Sequence, residues 1–246
     1  MAQETFLIAK SVLRKFKDPP ETRRLEFISP TTLEACSRAA RNLQHLEMTS
    51  EESEILDQSQ NIEMVREFIA QYVAEVDKRR QYSKTWGKVY AFSQFAGPVL
   101  DVFKQANFSP ECSVALGLIS LLLIQPLNNK SDIEERLEKE IMQLKDIISQ
   151  VEFSKSNIRT AEIDAEVQGL CGAIIDFLVH ALQYQKKWGI AKVLSGILAD
   201  FAKRFESFVT KIKSHATKIG VLAQRGYTTI LLNSKDILDT TAQGKR

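Results

Sequence analysis

Hydrophobic residues recur along this chain at three- and four-residue steps, and polar residues fill the intervals. That period belongs to amphipathic helices. Residues 4–17 predict the first: Phe6, Ala9, Val12, Leu13 and Phe16 share one face, while Lys10, Arg14, Lys15 and Lys17 cover much of the rest. Pro19-Pro20 end it, because a residue before proline is pushed out of the α region. A polar connector over 18–31 leads to a short helix, capped by Thr31 or Thr32, that runs to about Leu46. From Glu47 to Glu67 seven acids (Glu47, Glu51, Glu52, Glu54, Asp57, Glu63, Glu67) accompany one base, Arg66. The first half of that stretch reads as an acidic loop, and helix resumes near Ile62.

The pattern strengthens further on. Ile62, Val65, Phe68, Ile69, Tyr72, Val73 and Val76 form one stripe over 62–81, closed by Lys78-Arg79-Arg80, where cations suit the negative end of the helix dipole. A helix from about Lys84 to Ala106 contains Gly97-Pro98, and a proline inside a helical pattern predicts a kink or break. Ser109-Pro110-Glu111 is a helix start, with a capping serine, proline at the first position and an acid in the first turn. The Val114–Ile124 run that follows is apolar nearly all round and stops at Pro126. Ser131-Asp132-Ile133-Glu134 reads as a capping box opening a helix striped by Ile133, Leu137, Ile141, Leu144, Ile148 and Val151. After a polar joint at 154–157, a helix over about 158–186 carries Val167, Leu170, Ile174, Phe177, Leu178, Ala181 and Leu182. A last long helix starts near Gly189, with Ile190, Val193, Leu194, Ile197, Phe201, Phe205, Phe208 and Ile212, and is expected to stop at Gly226. The chain thus divides into an N-terminal amphipathic helix (1–20), a helix with an acidic connector (21–61), a main helical bundle (62–226), and a short terminal helix with a tail (227–246).

Composition agrees with the pattern. The chain has 10 glycines and 6 prolines in 246 residues, below the usual shares of roughly 7% and 5%. The prolines all lie at or before Pro126. Many-turned β folds and parallel α/β folds need more turn residues than this. The expected class is all-α: an antiparallel multi-helix bundle of long amphipathic helices around a buried apolar helix. The apolar run Val114–Ile124 is too short to span a bilayer, which takes about 20 residues, so it is assigned to the centre of the bundle.

The search for chemistry excludes more than it finds. Neither GxxxxGK[ST] nor GxGxxG occurs, so no sequence-readable phosphate loop is present. His45, His180 and His215 stand far apart, without HExxH or CxxC; His180, within an apolar run, reads as a packed or capping histidine. Cys36, Cys112 and Cys171 make no even framework and read as buried thiols of a reducing compartment. The carboxylate pairs Asp132/Glu135 and Glu134/Glu138 sit among Arg136 and Lys139, which describes a solvated, salt-bridged helix face rather than a metal site. The expectation is a protein without enzymatic activity, cofactor or metal. The start of the chain has no apolar stretch followed by a small-residue cleavage site, so the expected location is cytoplasmic, with peripheral membrane contact.

Charge is informative where it segregates. The net charge is only +2, and no groove-reading motif accompanies the bases, so nucleic acid is not an expected partner. Yet Lys186, Lys187, Lys192, Lys203, Arg204, Lys211, Lys213, Lys218 and Arg225 cluster between 183 and 225 against only Asp200 and Glu206. One consequence is simple neutralisation against acidic neighbouring helices. The other is a basic surface for anionic lipid headgroups, with the first helix lying in the interface through Phe6, Val12, Leu13 and Phe16 while Lys10, Arg14 and Lys15 meet headgroups. The candidate contact residues are therefore Phe6, Lys10, Val12, Leu13, Arg14, Lys15, Phe16, Lys203, Arg204, Lys211 and Lys213. The expected partner is a protein, self-association included, or an anionic membrane. A helical lipid carrier, or an enzyme whose site the sequence does not reveal, is the alternative.

The order of segments resembles a known family. A Trp86-led helix precedes Ser109-Pro110-Glu111 and the glycine-containing apolar helix to Ile124. Then comes a helix with Ile174-Ile175-Asp176-Phe177-Leu178 and Tyr184, followed by a Phe-rich last helix. Over about 80–225 this is similar to the N-terminal helical domains of fungal NACHT and ankyrin-repeat (NLR-like) proteins. The resemblance implies a bundle that signals or acts as a cell-death effector, some such bundles by engaging membranes. It departs from that arrangement in that no nucleotide-binding or repeat region follows, which suggests either a stand-alone relative or an excised N-terminal piece.

Overall fold

A computed structural model of the chain describes residues 30–46, 48–78, 85–106, 113–124, 132–155, 160–188 and 195–243. The predicted first helix (4–17), the Ser109-Pro110-Glu111 start and Ser131 lie outside them. Among the described residues there are eight helices and no strand: α1 (Pro30–Gln44), α2 (Ser50–Gln58), α3 (Ile62–Lys78), α4 (Thr85–Gln105), α5 (Ser113–Ile124), α6 (Asp132–Lys155), α7 (Ala161–Trp188) and α8 (Ser195–Gln243). The all-α bundle expected from the periodicity is the observed fold.

The bundle is organised around α5. Every residue from Ala115 to Ile124 is buried, and α5 touches α1, α2, α3, α4 and α7. A helix apolar all round has no face to give to water, so it must be covered on every side. Around it, α7 packs on α8 and α1, and α6 packs on α4 and α8. The buried apolar side chains form one continuous cluster from Ala35 to Ala223, with Tyr72, Phe95, Phe103 and Phe177 among its largest members.

Four local expectations are corrected. The acidic loop after Glu47 is instead the helix α2. Thr49 is its N-cap, with its side chain accepting from Glu52 N–H at 3.2 Å while Glu52 Oε2 accepts from Thr49 N–H at 2.8 Å. Acids in the first turn favour the positive end of the helix dipole, and Ile55 provides a buried anchor. Gly226 does not end α8, which runs on to Gln243. A lone glycine inside a helix costs only about 1 kcal/mol against alanine, and no proline follows to enforce a stop. Pro98 lies within α4 without breaking it. Thr32 also takes a different role. Pro30 occupies the first helical position of α1, and the Thr32 hydroxyl donates across the bundle to the side-chain oxygen of Gln168. Gln168 Nε2 in turn donates to the Ala106 carbonyl at the end of α4, at 2.9 Å.

Helix α2 approaches α5 closely because α5 is narrow there. A Cβ on Gly117 would lie 3.3 Å from the Leu56 Cα and closer still to its side chain. One turn on, the Ser59 hydroxyl donates to Ser120 Oγ at 2.9 Å. Glycine and serine at this three-residue spacing form the notch that admits α2.

Candidate contact surface

Helix α8 carries the basic residues singled out from sequence. Its buried positions are Phe205, Val209, Ile212, Ala216, Ile219 and Ala223, at alternating steps of four and three. That spacing gives one seam, as in helices that pack nearly parallel or antiparallel. Facing away from it, Lys203, Lys211, Lys218 and Arg225 are exposed, while Lys213 and Glu206, also exposed, flank the seam on one side. At about 100° per residue Lys203 and Lys211 share the outward side, whereas Lys213 falls about 160° round from Lys211, on the opposite flank of the seam. Arg204 belongs to the same helix, its side chain lying outside the described set, and Phe6, Lys10, Val12, Leu13, Arg14, Lys15 and Phe16 lie outside the described residues.

Specific contacts fix how α8 sits on α7. The Phe177 and Phe205 rings stand 4.7 Å apart, and the His180 ring is 5.2 Å from that of Phe208. His180 is therefore packed against an aromatic, as its apolar setting suggested. Nearer the other end, His215 Nδ1 lies 2.7 Å from Glu166 Oε2, and Lys218 Nζ donates to Glu166 Oε1 at 3.3 Å. The His215 ring fills the space over Gly169, where a Cβ would meet it at 2.5 Å. Partial burial pushes the Glu166 carboxyl up, but the hydrogen bonds from His215 and Lys218 outweigh it and hold the carboxyl below its ordinary range.

The other polar clusters hold helices together. Glu52, buried, accepts from Lys186 Nζ at 2.6 Å, and Arg38 bridges to Asp176 at 3.0 Å and to Glu34 at 3.1 Å. Arg66 pairs with Asp101 between α3 and α4. Cys36 and Cys171 are buried free thiols. Among the described residues no group of three His, Cys, Asp or Glu is placed to hold a metal ion. Among the described residues one helical stretch, Ala161–Tyr184, is long and apolar enough to cross a membrane by length and composition, and it is mostly buried inside the bundle. Helix α5 falls short of that length.

Sequence reasoning missed the far end of α8. Beyond Ala223 the helix exposes Tyr227, Ile230, Leu231 and Leu232. The Thr228 and Thr229 hydroxyls donate back to the Gln224 and Arg225 carbonyls at 3.0 and 3.1 Å. The apolar residues were legible; reading Gly226 as a stop hid that they continue one rod.

Fold and surface together define an all-α bundle whose most prominent feature is one long, two-faced helix. The chain belongs to the family "Domain of unknown function (DUF7708)", whose model matches residues 84–230. No curated protein and no solved structure matches the chain. The family span begins at α4, so α1, α2 and α3 precede it in the chain while sharing its hydrophobic core.

Proposed function

We propose that this chain is a non-enzymatic signalling or effector module of the fungal NLR-like type, acting by contact, with the outer face of α8 engaging an anionic membrane surface from the cytoplasmic side. The observation that carries this reading is the row of exposed bases Lys203, Lys211 and Arg225 along the solvent face of one helix. Each base near an anionic surface contributes about 1 kcal/mol of attraction, and the attraction is screened by salt. The family match and the order of segments support the kinship with such modules. In this proposal the amphipathic pattern of residues 4–17 adds apolar insertion into the same membrane through Phe6, Val12, Leu13 and Phe16.

Flotation with vesicles containing phosphatidylserine tests it. Wild type is expected to float at low salt and to be released at high salt, and Lys203→Glu/Lys211→Glu/Arg225→Glu is expected to lose binding by more than about tenfold. Equal flotation of the two proteins, or flotation of neither, would remove the membrane from the proposal.

A further inference from the structure

The face of α8 that packs on α6 and α7 continues past the ends of those helices. Phe177 against Phe205 and Glu166 against His215 run α7 antiparallel to α8. With equal rise per residue, the first residue of α7, Ala161, comes level with about residue 220 of α8. Helix α6 ends at Lys155 and is joined to α7 through residues 156–160, so its last turn lies near the same level. Helix α8 runs on to Gln243, roughly 30 Å beyond Ala223 at about 1.5 Å per residue.

Turning about 100° per residue, Ile219, Ala223, Tyr227 and Ile230 fall on one stripe, with Leu231 at its edge on the same flank as Lys213 about five turns before it. Ile219 and Ala223 are buried in the bundle, whereas Tyr227 is 39% exposed, Ile230 51% and Leu231 69%. Leu232, 59% exposed, sits about 100° further round and off the stripe. From Gly226 to Ser234 no residue is charged at neutral pH, and both threonine hydroxyls are bonded to their own helix. A partner chosen by charge would find nothing there to pair with.

The placement of the stripe restricts what fits. It faces the space directly beyond α6 and α7, on the bundle's own side of α8. A flat bilayer laid against it would have to pass through the bundle. A single helix fits, continuing the line of the helices that end there. We propose that this occupant is α8 of a second copy, the two overhanging ends pairing antiparallel through Tyr227, Ile230 and Leu231. A parallel alignment would drive the second copy's α8 into α6 and α7 of the first. The antiparallel one sends the two bundles to opposite ends, and holds the Lys211 and Lys218 rows of the two copies apart. The contact is two-fold, with the same uncharged patch on both sides. It uses the inner face of α8, distinct from the basic outer face invoked above. An interface of one helix pair is small, so the dimer is weak and concentration-dependent.

Sedimentation of the full chain from low to high micromolar concentration tests this. Wild type is expected to pass from monomer to dimer, Leu231→Glu to raise the dimer dissociation constant by about tenfold or more, and Leu232→Glu to behave as wild type. Circular dichroism checks that each variant is folded. Cysteines at the two ends of the exposed patch give the orientation. In a mixture of Tyr227→Cys and Leu231→Cys proteins, positions that antiparallel pairing about residue 229 brings level, disulfides between the two variants are expected to outnumber those within either. Three results would each overturn the proposal: a monomer throughout, equal loss from both leucine variants, or preferential self-linking.

Discussion

Single glycines decide how closely these helices approach. At Gly117 the Leu56 backbone comes within 3.3 Å of where a Cβ would be, and backbone cannot step aside as a side chain can. Gly117→Ala is expected to destabilise the fold by about 1–3 kcal/mol, read by urea denaturation. Gly220 is the counterpart: it also lies in a helix, but a Cβ there meets nothing within 4 Å. Gly220→Ala is expected to stabilise by about 0.5–1 kcal/mol, since alanine has less backbone freedom to lose on folding. Sequence alone does not separate the two glycines, because the difference lies in what crosses the helix and not in the helix itself. Glu166 makes a prediction of its own. Its folded carboxyl titrates below its ordinary value of 4.5, so the unfolded chain binds that proton more readily. The stability it contributes is full above about pH 4.5 and is lost as pH falls through the lower folded value. Glu166→Gln is therefore expected to flatten the acid limb of a stability-against-pH curve and to leave the shape of the curve above neutrality unchanged.

Among the elements, α2 shows how a helix that looks unpromising in sequence is held. Its acids suggested a loop, yet Glu52 serves twice, closing the Thr49 cap and receiving Lys186 from α7. Lys186→Met would take the lysine cation away from the buried Glu52 carboxylate, and a loss of about 3 kcal/mol is expected. Glu52→Gln/Lys186→Met should recover part of that loss, and denaturation of the two variants against wild type measures the difference. The stripes of α3, α7 and the first part of α8 were legible because each obeys one period with apolar residues throughout. The stop at Gly226 was misread because glycine ends a helix only when the following residues leave the helical path, which composition does not reveal. The basic side of α8 was legible as charge. That Lys203 and Lys211 share a side opposite Phe205, Val209 and Ile212, while Lys213 falls on the other flank, follows from the period. The overhang past α6 and α7 depends on where two other helices end, and those ends are tertiary facts.

For the molecule as a whole, the family span from residue 84 to residue 230 and the three helices before it are one core. Arg38 with Asp176, Lys186 with Glu52, and Thr32 with Gln168 tie the early helices to α7. Unfolding is expected to be a single cooperative event. Fluorescence of Trp86 and Trp188, both within the family span, should report the same midpoint as far-ultraviolet circular dichroism, which senses every helix. Separated midpoints would show that the early helices melt on their own. The burial of α5 also has a consequence for synthesis. The helices that cover it come from both directions along the chain, α1 to α4 before it and α7 only after a further 37 residues (from Ile124 to Ala161). At roughly 5–20 residues per second, the side that α7 will cover stays open for seconds after α5 has been made. During that interval the nascent chain displays its most apolar helix, so chaperone capture and aggregation are expected to be decided there, before α8 is complete.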